Sequence, residues 1–150
     1  MSKISLPEFA DKVNRIMPLI AREFLKKQAQ ELFKGKITLS QLFILDYLYK
    51  EGYARMTDLA HFMEVSTAAM TGLVDRLVRD GYVYRIFEPR DRRIIKVGLT
   101  AKGNALVERI DQQKKHMIME IFGRISQIER SQYLNILTHI YEILTKKKKP

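Results

Sequence analysis

The side chains best equipped for chemistry lie within residues 63–103, MEVSTAAMTGLVDRLVRDGYVYRIFEPRDRRIIKVGLTAKG. Three guanidinium groups, on Arg90, Arg92 and Arg93, surround the carboxylate of Asp91 in a Pro-containing loop between two strand-like runs. Guanidinium stays charged at any working pH and forks onto phosphate oxygens, so the chemistry on offer is anion binding. Just before the loop, a short helix starting at an N-cap of Ser66 or Thr67 turns Met70, Leu73, Val74 and Leu77 to one side. The opposite side then carries Thr67, Ala68, Thr71, Gly72, Asp75 and Arg76, mostly small or polar, a face that can lie close against base edges in a major groove. A small-faced helix followed by a basic ribbon is a device for holding nucleic acid.

Other chemistries lack their parts. The chain has no cysteine, so thiol redox, zinc-thiolate and Cys-nucleophile roles are closed. There is no Gly-rich phosphate loop and no nucleophile-base motif, and an enzyme is not expected. His61, His116 and His139 fall on three different predicted helices without ligand spacing, so neither a metal nor another cofactor is expected. Lys plus Arg number 27 against 17 Asp plus Glu, a formal charge of +10, which favours polyanions: DNA, RNA or anionic lipid. Four of those charges form the run from Lys146 to Lys149, read as a solvated, frayed tail; +6 remains without it. No apolar run reaches the eighteen or so residues of a membrane span, and the N-terminus lacks a signal-peptide core. A cytoplasmic protein, associated with the nucleoid, is the expectation.

The elements that must position these groups follow from periodicity and caps. With 150 residues and 46% hydrophobic composition, one domain can bury a real core. Ser5-x-x-Glu8 opens a long helix with Phe9, Val13, Ile16, Met17, Ile20 and Phe24 on one face, reaching Phe33 and kinked or broken at Pro18. Thr38-x-x-Gln41 caps a second helix with a stripe of Leu42, Leu45, Leu48 and Tyr49 and a stop at Gly52. A third, from about Met56 to Phe62, buries Leu59, Ala60 and Met63, and the connection 64–66 leads straight into the fourth, ending at Gly81: a helix-turn-helix. Residues 82–87 and 93–99 predict a two-stranded wing with a loop at 88–92. Thr100 caps a fifth helix that stops near Gly123, and Ser126-x-x-Glu129 opens a sixth with Ile128, Tyr133, Leu137, Ile140, Tyr141 and Leu144 inward. The long first, fifth and sixth helices carry more apolar surface than a winged helix-turn-helix needs, which predicts a two-fold dimer with interleaved terminal helices.

ITLSQLFILDYL, MTDLAHFMEVSTAAMTGLVDRLVRDGYVYR and above all EPRDRRIIKVGLTAKG resemble the multiple antibiotic resistance regulator (MarR) family of bacterial transcription factors. The resemblance covers residues 37–103 strongly and the flanks by pattern only. Its most specific parts are the wing pair Asp91 and Arg93 and the following Leu99, Thr100, Lys102 and Gly103. It implies a homodimer that binds a pseudo-palindromic DNA operator, usually as a repressor, released by a small aromatic or phenolic ligand. It also implies that Arg93 enters the minor groove with Asp91 holding its guanidinium, a role suited to the negative potential of a narrow groove. Arg90 and Arg92 then suit phosphate contacts. The sequence departs from the family at Gly72, where many relatives have a long polar or basic side chain, so the wing and DNA shape should carry more of the readout. Met17, Phe24, Tyr47 and Tyr49 are candidates for lining an effector pocket, against the plainer reading that they are core.

The expected architecture is therefore mainly α with a small β-ribbon: a dimerisation helix at 1–36, a winged helix-turn-helix at 37–103, and dimerisation helices with a basic tail at 104–150, in one structural domain. The competing reading is a winged-helix module that binds protein and not DNA, which the basic wing disfavours.

Overall fold

In a computed structural model, residues 3–32 and 37–146 are described, with no side-chain detail at 28–32. Phe33, Gly35, Lys36 and the Lys147 to Lys149 part of the tail lie outside the described residues. Two compact units divide at Ile110 and Asp111, inside the fifth helix.

The first unit begins with α1 (Leu6–Leu32), whose first turn is held by the Glu8 amide donating to Ser5 Oγ at 3.4 Å. It runs through Pro18 without a break. Helix α2 (Leu39–Glu51) is fixed at its start by a reciprocal box: the Gln41 amide donates to Thr38 Oγ1 at 3.3 Å and the Thr38 amide to Gln41 Oε1 at 3.0 Å. The buried Gln41 thus spends its polarity on the cap. Gly52, at φ 84°, ends the helix by donating to the Leu48 carbonyl. Leu42, Leu45 and Leu48 are buried as expected, joined by Ile44, but Tyr49 is exposed. The apolar arc of α2 is rotated away from the predicted stripe, toward Ile44 and Gln41.

Strand β1 (Tyr53–Arg55) follows, absent from the sequence reading. It pairs antiparallel with β3 (Asp91–Leu99), which also pairs with β2 (Val83–Glu88), so the expected two-stranded ribbon is a three-stranded sheet in the order β1-β3-β2.

Helices α3 (Met56–Met63) and α4 (Thr67–Arg79) form the helix-turn-helix. The turn is tight because Glu64 takes a left-handed conformation (φ 53°) that lets the Val65 amide reach back to the Ala60 carbonyl at 3.0 Å. A non-glycine residue there costs on the order of 1 kcal/mol. Ser66 is the cap of α4, its Oγ accepting from the Ala69 amide at 3.1 Å. Met70, Val74 and Leu77 are buried, with Leu73 half-buried, in a core shared with Leu45, Leu48, Leu59 and Val97.

Helix α5 (Ala101–Phe122) contributes Leu106, Val107 and Ile110 to that core. In the second unit, α6 (Gln127–Lys146) starts with the predicted box, the Ser126 amide and hydroxyl both donating to Glu129 Oε2. Those bonds hold the Glu129 carboxyl below the usual carboxylate range. The α6 residues expected to face inward, Ile128, Tyr133, Leu137, Ile140, Tyr141 and Leu144, are all exposed in the single chain, as are Phe9, Ile16, Met17 and Ile20 of α1. Among the described residues, each of these two helices thus carries an exposed apolar face.

Candidate nucleic-acid interface

The outward face of α4 is as read: Ser66, Thr67, Ala68, Thr71, Gly72, Asp75 and Arg76 are all exposed. Several of its polar groups are already engaged. The Ser66 hydroxyl accepts from the Ala69 amide, and Thr71 Oγ1 donates to the Thr67 carbonyl at 2.9 Å. Asp75 is ion-paired with Arg85 of β2. The Asp75 carboxylate therefore ties the helix to the wing strand. Gly72 lies in regular helix, where an interior glycine costs roughly 0.5–1 kcal/mol relative to alanine.

The wing turns on only two residues, Pro89 and Arg90, so the predicted 88–92 loop is mostly strand. Neither has positive φ, so this is not one of the primed turns whose twist matches a hairpin. The mismatch is absorbed on β3. Cα pairing passes from Phe87↔Ile95 to Glu88↔Asp91, leaving Arg92, Arg93 and Ile94 looped out opposite a single step of β2. Asp91 fixes this bulge from within: its Oδ1 accepts from the Arg93 amide at 3.0 Å and from Arg93 Nε at 3.2 Å. The Arg93 side chain is 93% exposed, so the clamp holds its inner nitrogen and presents the guanidinium outward. Further along β3, Lys96 pairs with Glu88 of β2 at 3.0 Å. Basic groups along the wing stem thus meet acidic partners, while Arg90, Arg92 and Arg93 crowd the tip, all exposed.

The base of the wing is locked to the end of α4. Thr100 Oγ1 donates to the Gly81 carbonyl at 2.6 Å and accepts from the Gly103 amide at 3.1 Å. Lys102 Nζ donates to the Asp80 carbonyl at 2.7 Å and sits 4.5 Å over the Tyr82 ring. A cation and a hydroxyl therefore satisfy carbonyls just past the helix C-terminus, where the dipole is negative. Thr100, Lys102 and Gly103 act in the scaffold.

A cleft of about 330 Å³ opens where α3, α4 and the wing converge, lined by Arg55, Thr57, Thr67 and Arg93 among others. Arg55 and Thr57 were missed from sequence. Nothing local marks them, because the convergence depends on β1 bringing the start of α3 against β3.

The four candidate effector residues are dispersed in character. Met17 is exposed on α1 and Phe24 half-buried; Tyr47 packs on Phe62 with ring centroids 4.6 Å apart; the Tyr49 hydroxyl donates to Glu108 Oε1 at 3.4 Å. The cleft at the interface is lined by none of them.

Residues 37–95 match the model of a family described as the MarR family. The chain is 29% identical to the HTH-type transcriptional repressor MdtR of Bacillus subtilis (strain 168) over 107 residues, covering 71% of this chain and 69% of that protein. Its fold is similar to the crystal structure of YusO from Bacillus subtilis, with a TM-score of 0.79 at 23% identity over 93% of this chain and 99% of that one. It is also similar to a mutant of S. aureus MepR bound to oligodeoxyribonucleotide, with a TM-score of 0.67 at 27% identity over 87% and 96% of the two chains.

Proposed function

We propose, from the premise that residues 37–95 are the winged helix-turn-helix of a MarR-family regulator, that this protein is a DNA-binding transcriptional regulator acting as a dimeric repressor. The observation that carries the reading is the wing tip, where Asp91 pre-sets an exposed Arg93 beside the open face of α4. The helix enters the major groove, Arg93 the adjacent minor groove, and Arg90, Arg92, Arg55 and Thr57 meet phosphates. MdtR is named a repressor and the MepR mutant is bound to oligodeoxyribonucleotide, which supports both halves of the reading.

Residues 37–103 are the DNA-reading part, and 1–36 with 104–150 the dimerisation part. The uncovered apolar faces of α1 and α6 support that division, since surface of this extent in water calls for a partner. A two-fold dimer spaces its half-sites about one helical turn, roughly 34 Å, apart, which suits a pseudo-palindromic operator. A small aromatic or phenolic ligand releases it, with Tyr47 and Tyr49, and Met17 and Phe24 of α1, supplying surface for the ring. The protein works in the cytoplasm, at the nucleoid.

Binding to promoter DNA next to its own gene, titrated with salt, tests the reading. Log affinity should fall steeply with log salt, with a slope of about −0.9 per phosphate neutralised. A flat response overturns DNA binding. Light scattering at micromolar concentration should return the mass of a dimer, and a monomer would remove the two-fold operator from the proposal.

A further inference from the structure

Among the described residues nothing requires position 72 to be glycine. It lies mid-helix in α4, and its φ is not among the positive values that Gly52 and Gly81 require. A Cβ built on it meets nothing within 4 Å, so no neighbour excludes a side chain. The helix would be more stable with alanine there. The bare backbone lies on the exposed face of α4.

Arg76, one turn further on, is exposed and can donate, but the residues immediately beside Gly72 on its N-terminal side offer little hydrogen-bonding chemistry. Ala68 has none, and the Thr71 hydroxyl proton is spent on the Thr67 carbonyl. What this patch itself offers a base edge is apolar and close-fitting: the Gly72 Cα beside the methyl groups of Ala68 and Thr71. In the major groove the matching feature is the C5-methyl of thymine, the one apolar group that base edges present there.

We propose that Gly72 is a specificity-determining residue, the point where α4 lets its backbone come closest to DNA, and that it reads thymine methyl groups by shape. This rests on the DNA-binding reading above. Long side chains at this position would hold the helix off the groove floor, so the glycine sets both depth and preference.

The test uses the full-length protein and a duplex that it selects from a random double-stranded pool. Gly72→Ala should raise the melting temperature by about 1–4 °C. The same variant should bind the selected duplex about fivefold or more weakly, the low end of one misread base contact, while binding non-specific DNA as the wild type does. Replacing thymines one at a time by deoxyuridine should cost the wild type about fourfold at one or two positions per half-site, the value of one buried methyl. Undiminished affinity of Gly72→Ala for the selected duplex, or a flat deoxyuridine scan, overturns the inference and leaves the regulator reading standing. If the wild type selects no sequence at all, that reading falls and this one with it.

Discussion

Arg93→Ala lowers operator affinity by about 1–3 kcal/mol, roughly 5- to 150-fold, with no change in melting temperature. The first half follows from the proposed function: a guanidinium at the tip of a bulge, 93% exposed, is free to reach a groove whose negative potential favours it. The second half follows from the same exposure. Among the described residues this side chain pairs with Asp91, also partly exposed, and exposed pairs contribute about 0–1 kcal/mol to folding at most. Fluorescence anisotropy with an operator duplex, beside a thermal melt, reads both quantities. Unchanged affinity refutes the minor-groove role.

Asp91→Ala probes the clamp separately, and two effects oppose each other. Deleting a negative charge beside DNA helps binding, but at an exposed site in salt that gain is small. Deleting the acceptor that holds both Arg93 Nε and the Arg93 amide frees the bulge, and re-ordering a long side chain on binding costs about 0.5–1.5 kcal/mol. The ordering loss wins, so affinity should fall, though less than for Arg93→Ala. Equal or greater affinity would mean that the pair does not pre-set the wing.

Among the described glycines, Gly103→Ala should be the most damaging added methyl. A Cβ there would sit 2.1 Å from the Tyr82 carbonyl oxygen and 3.1 Å from Leu99 Cδ2. The first contact is backbone, so no rotamer relieves it. Either α5 lifts away from the start of β2 or the bonds from Thr100 and Lys102 are lost. Overpacking of this kind costs about 3 kcal/mol or more, which for a chain of this size lowers the melting temperature by roughly 6–12 °C. A fall of under about 2 °C would show that the α5 start can yield. Gly103 was marked in the sequence only as part of a family motif; the structure supplies its reason.

Most of the helical frame was legible because its signals are local. Thr38 with Gln41 and Ser126 with Glu129 form the boxes that their three-residue spacing announces. What was not legible depends on partners distant in sequence. Strand β1 has three residues, too few for an alternation pattern, and exists because Gly98, Val97 and Lys96 run alongside it. Asp75 faces outward as its helical position requires, yet its ion pair with Arg85 ten residues on could not be read from that position. The bulge that carries Arg93 is likewise a mismatch between two strands, with no marker in either alone.

The order β1-β3-β2 leaves two strand edges without a neighbour in the sheet. Such edges are templates on which another chain can add a strand, a hazard for a protein gathered at high local density on DNA. One edge is only three residues long. The other carries Arg85 and Glu88, is followed by Pro89, and loses its regular register with β3 after Phe87. Short length, charge, proline and a bulge are the usual guards against edge-to-edge association. The distortion that leaves Arg93 exposed at the wing tip therefore also works against wings of neighbouring molecules zipping into a shared sheet.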